Sequence, residues 1–160
     1  MSWHWNLYTQ TYFDLWGKPL RQDWQIDRVL KEVSASYNGT VHNGTVHNGT
    51  VQNGTVRLGI IPDIPRFDSH AFEFFINLRH YPVVINKFWA FDPPAFYQND
   101  YIIFSENDQG FLSFSSTEGA RINTYVADHP QHFRVVDRFE LPGMQRIRLY
   151  KVDPSSVVSK

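Results

Sequence analysis

The sequence predicts an α/β fold: a three-layer Rossmann-like domain, with a mostly parallel sheet and a C-terminal antiparallel β-hairpin at its edge. Three observations predict it. First, three short apolar runs end in polar or acidic turns: Leu58-Gly59-Ile60-Ile61-Pro62-Asp63, Val83-Val84-Ile85-Asn86 and Tyr101-Ile102-Ile103-Phe104-Ser105-Glu106-Asn107-Asp108. Continuous apolar runs this short suit strands buried on both faces. Second, a helix-like segment over 69–81 separates the first two runs, which is the spacing of a βαβ unit. Third, two strand-like segments, 133–141 and 144–152, flank Pro142-Gly143, which is a hairpin signature.

Residues 1–22 are dense in aromatics: Trp3, Trp5, Tyr8, Tyr12, Phe13 and Trp16. Such rings either cover one side of the core or lie at a membrane–water interface, where an apolar ring with a polar edge is favoured. Residues 23–152 then form one α/β domain. Its first helix spans 23–36, where Ile26, Val29, Leu30 and Val33 make one apolar stripe. Asp23 is placed to cap it, because a carboxylate accepts the free amide protons of a first turn.

A repeat follows over 38–56. Asn-Gly-Thr-Val occurs four times at a period of five, from Asn38, Asn43, Asn48 and Asn53. That period matches neither helix nor strand, and Asn-Gly favours turns, so the repeat reads as an expanded surface loop. Each Asn-Gly-Thr is formally an N-glycosylation acceptor. His42 and His47 lie in it without a carboxylate, which is too few ligands for a metal site.

Strand one covers 56–61, and Asp68 or Ser69 caps helix two, whose apolar positions include Ala71, Phe72, Phe75 and Leu78. Strand two covers 82–85 and strand three 100–105. Ser115 and Glu118 have the spacing of a capping box opening helix three, with Ile122, Tyr125 and Val126 inward. In the hairpin, Phe133, Val135, Phe139 and Leu141 fall on one face of the first strand, and Arg146 and Arg148 oppose Ile147 and Leu149 in the second. Residues 153–160 are a polar tail.

Composition limits the function. The 160 residues carry 15 basic and 16 acidic side chains, with no basic excess to track nucleic acid. The absence of cysteine excludes a disulfide framework, a thiolate metal site and a cysteine nucleophile. No apolar stretch approaches the ~20 residues of a membrane span, and the first residues lack the layout of an export signal.

The motifs narrow it further. The turn after strand one is Pro62-Asp63-Ile64-Pro65, and its prolines remove amide donors that would cradle a pyrophosphate. No cofactor and no metal are expected. The strand-end acids Asp63, Glu106 and Asp108 are candidate ligand-binding residues, since ligands of parallel sheets bind beyond the strand ends. Turn and capping chemistry is the plainer account of the aspartates. The stretch Phe88-Trp89-Ala90-Phe91 with Tyr97 is a candidate sugar-stacking surface, with Trp89 and Tyr97 as candidate ligand-binding residues, or else ordinary core. The histidines of Arg79-His80 and His129-Pro130-Gln131-His132 are expected to complement helix C-termini.

The order of these pieces resembles the soluble C-terminal extracytoplasmic domain of bacterial polytopic membrane glycosyltransferases, the protein-mannosyltransferase-like and aminoarabinose-transferase-like enzymes that use polyprenyl-phosphate sugars. The likeness is carried by Arg21-Gln22-Asp23-Trp24, Leu58-Gly59-Ile60-Ile61-Pro62-Asp63, Phe75-Ile76-Asn77-Leu78-Arg79 with Pro82-Val83-Val84, Asp100-Tyr101-Ile102-Ile103 with Asp108-Gln109-Gly110, and Leu141-Pro142-Gly143. It spans roughly 17–152. The resemblance implies a non-catalytic accessory domain, because the family's catalytic carboxylates lie in its membrane part. It implies the membrane-spanning part of the same parent protein as partner, with a glycan or acceptor as a further one. It also gives 1–22 a place at the membrane interface. A stand-alone enzyme using the strand-end acids and a protein-interaction module are the alternatives.

Overall fold

The computed structural model describes residues 23–35, 55–88, 90–106 and 113–153. The aromatic segment 1–22, all but the end of the 38–56 repeat, Trp89, Asp108 and most of the tail lie outside the described residues. Among the described residues no helix is long and apolar enough to cross a membrane.

The elements run α1 (Ile26–Ala35), β1 (Val56–Ile60), α2 (Ser69–Arg79), β2 (Val83–Lys87), α3 (Pro93–Phe96), β3 (Tyr101–Ser105), α4 (Ser113–Asp128), β4 (Phe133–Leu141) and β5 (Gln145–Val152). In α1 the stripe Ile26, Val29, Leu30 and Val33 is buried. Asp23 does not cap it. Its carboxylate accepts the Gln25 amide at 2.8 Å and so makes an Asx-type turn ahead of the helix. Asp68 does cap α2, accepting the Ala71 amide at 2.8 Å, and His80 ends that helix in the left-handed region at φ 56°. The expected capping box of α4 is replaced by a different contact. The helix opens at Ser113, and Glu118 instead accepts the backbone N–H of Phe91 at 2.6 Å.

The five strands lie in the order β2-β1-β3-β5-β4. This corrects the expected three-layer Rossmann-like architecture with its mostly parallel sheet. Among the described residues, only β1–β2 and β1–β3 are parallel, and β3–β5 and β4–β5, which include the longest pairing, are antiparallel. The sheet is mixed and the helices are few. Among its described residues, the connection from β2 to β3 contains only the four-residue α3. Apolar runs report burial on two faces but not strand direction, so they could not reveal that β5 docks against β3.

Side chains alternate across the sheet to two apolar clusters. Leu58, Ile60, Tyr101, Ile103, Ile147 and Leu149 pack with α1 and α2 on one face. Ile102, Phe104, Tyr150 and Val152 pack with Phe96 of α3 and Ile122 and Val126 of α4 on the other. Burying each such side chain contributes about 1.5–3 kcal/mol. Gly59 makes room for this second layer, since a Cβ there would meet the Phe88 ring at 2.5 Å.

β4 departs from the single apolar face expected of it. A register shift between Val135 and Asp137 inserts Val136 as a bulge. Val135 lies opposite Tyr150 and is 39% exposed, and Phe133 joins the α4 cluster, whereas Phe139 and Leu141 enter the α1–α2 cluster. One extra residue exchanges the two faces of the strand. On the turn side of the bulge, Arg138 and Glu140 lie opposite Arg148 and Arg146, on the face that carries those two arginines.

Candidate functional site

The carboxyl ends of β1 and β3 are adjacent, since Ile60 pairs with Ile103. Their acids do not converge. Asp63 lies 3.9 Å from Lys87 at the end of β2, and Glu106 is ion-paired with Arg148 of β5. Each acid is turned to a cation on the strand lying outward from it in the β2-β1-β3-β5 order. Asp108, the third expected acid, lies outside the described residues. Among the described residues no group of three or more histidines or acids could hold a metal ion.

Of the expected stacking rings, Phe88, Phe91 and Tyr97 lie in an aromatic cluster. Tyr97 shares a 2.9 Å hydrogen bond with the Tyr125 hydroxyl, and its ring sits 5.7 Å from Phe133 and 5.5 Å from His132. Burial, and then the Tyr125 hydroxyl, push the Tyr97 phenol well above its ordinary range. Phe91 is half-buried with the Arg121 guanidinium 4.6 Å over its ring. Trp89 lies outside the described residues. Beside this cluster, Phe91, Ala120, Arg121, Thr124, Tyr125 and Asp128 line an open groove of about 420 Å³. His129 stacks on Tyr125 at 4.1 Å and donates to its carbonyl at 2.7 Å, so it serves the end of α4.

A second concavity lies where β3 ends against the hairpin. Glu106, Arg138, Phe139, Glu140, Arg146 and Arg148 line a cleft of about 350 Å³. Arg138 sits directly across from Arg148, and Glu140 across from Arg146. Arg148 binds Glu106 and donates to the Tyr150 hydroxyl at 3.2 Å. Its hydrogen bond, and then the charges of Arg148, Arg138 and Arg146, hold the Glu106 carboxyl below the usual range. The sequence pattern sets Arg146 and Arg148 on the face opposite Ile147 and Leu149 and does not single out Arg138. Counting back from the Pro142-Gly143 turn would have set Arg138 opposite Arg148, because Leu141 pairs with Gln145.

The chain matches no family model, and no match was found among curated proteins or solved structures.

Proposed function

We propose that this chain is a non-catalytic accessory domain of a membrane-bound glycosyltransferase, held on the extracytoplasmic side and contributing to acceptor or glycan binding. The observation that carries the non-catalytic part is the pairing of the strand-end acids. Glu106 is bound to Arg148 and Asp63 faces Lys87, so neither is an unengaged carboxylate poised for acid–base work. The parentage rests on the ordered motifs from Arg21 to Gly143. The groove beside Phe91 and Tyr125 combines aromatic edges with Arg121, Thr124 and Asp128, a mixture suited to sugar hydroxyls and apolar sugar faces.

An antibody to this domain tests the parentage in the source cell. A band several-fold larger than 18.8 kDa in the membrane fraction is expected. A band of this size in the soluble fraction overturns it.

A protein-interaction role is the second reading, drawn from Phe74 and Leu78. They are spaced by one turn on α2 and are 54% and 55% exposed. Replacing both with Gln is expected to weaken capture of the parent's membrane part; unchanged capture removes this reading.

A further inference from the structure

We infer that the cleft between the end of β3 and the β4–β5 hairpin is a phosphoryl-binding site, with Arg138 and Arg146 as its ligand-contacting residues. The backbone sets up the charge. The register counted from the Pro142-Gly143 turn puts Arg138 directly opposite Arg148, on the face that also carries Arg146. Directly opposed like charges destabilise a strand pair unless something neutralises them. Glu106 ion-pairs directly with Arg148, and among the described residues it makes no ion pair with Arg138 or Arg146.

Arg138 remains exposed, and among the described residues no carboxylate lies within ion-pair distance of it. Arg146 is 3.9 Å from Glu140, longer than a hydrogen bond, and both side chains are mostly exposed. Two guanidinium forks are thus available on one side of a 350 Å³ cleft whose third arginine is already committed. Planar guanidinium donors match the oxygens of a phosphoryl group in bidentate fashion. The position agrees with this chemistry, since the cleft lies beyond the carboxyl end of β3, a strand in parallel pairing with β1. The inference does not depend on the glycosyltransferase parentage, and either can fail alone.

The test uses the full chain, labelled with nitrogen-15 and titrated at constant ionic strength with inorganic phosphate and with glycerol 1-phosphate. Saturable shifts of arginine Nε–H resonances are expected, with affinity about tenfold weaker in R138Q/R146Q. No saturable shift, an equal response to sodium chloride, or unchanged affinity in the double variant overturns the site. If the double variant does not fold, the exposed R138Q carries the same expectation. Flotation with phosphatidylcholine vesicles containing phosphatidic acid separates two sources of the ligand. Binding that glycerol 1-phosphate competes away assigns a lipid headgroup, and absence of flotation alongside soluble binding assigns a free phosphoester.

Discussion

Glu106, one residue past β3, is ion-paired to Arg148 of the antiparallel neighbour β5. Its backbone N–H also donates to the Arg146 carbonyl at 2.8 Å, so the ladder between these strands continues beyond β3. The pair locks the parallel part of the sheet to the hairpin.

Glu106→Gln is expected to destabilise the fold by about 1 kcal/mol, a small value because both side chains keep some contact with solvent. The folded-state pKa of Glu106 is lowered, so its contribution is complete above the ordinary glutamate range and is lost as pH falls through the lowered value. Denaturant melts of both proteins from neutral to acidic pH check this. The difference between them should shrink on acidification.

Gly59→Ala is expected to cost about 1–3 kcal/mol, because a methyl group there must displace the Phe88 ring, which itself packs edge-on to Phe96 at 5.0 Å. A urea midpoint shift without a change in slope measures it. If the midpoint does not move, Phe88 is not tightly held.

The Tyr81 hydroxyl donates to Asp27 at 2.8 Å and ties the start of β2 to α1. Burial, and then Asp27, push its phenol up to about 12. The stabilising effect of the protonated hydroxyl is therefore complete below the ordinary tyrosine range and lost as pH rises toward about 12. Tyr81→Phe should remove one late-titrating phenol from the ultraviolet titration and lower stability by about 1 kcal/mol at neutral pH.

Glu118 holds the Phe91 amide at 2.6 Å and pairs with Arg121 at 2.9 Å. Glu118→Gln should accelerate hydrogen exchange at the Phe91 amide while leaving exchange at Ile102, in the centre of the sheet, unchanged. Equal protection at Phe91 in both proteins would show that the contact does not hold the segment.

Much of the local structure was legible in the sequence. The stripe in α1, the Asp68 cap and the Pro142-Gly143 turn are short-range features, and each needs only neighbours within a few residues. Local spacing makes Glu118 look like a cap for its own helix, because its backbone partner, Phe91, is 27 residues away. The Val136 bulge leaves no mark in composition, so Phe133, Val135, Phe139 and Leu141 read as one face, although Phe133 and Phe139 lie on opposite faces.

The residues by themselves determined which segments are helix or strand, and that β1 and β3 are buried on both faces, since periodicity and apolar runs follow from local geometry. They did not determine the strand order, the mixed direction of the sheet or the partners of its acids. Those depend on β5 pairing with β3 rather than remaining with β4 alone at the edge. Backbone hydrogen bonds are chemically the same in either arrangement. The choice belongs to packing of the two faces together, which exists only once the chain is folded.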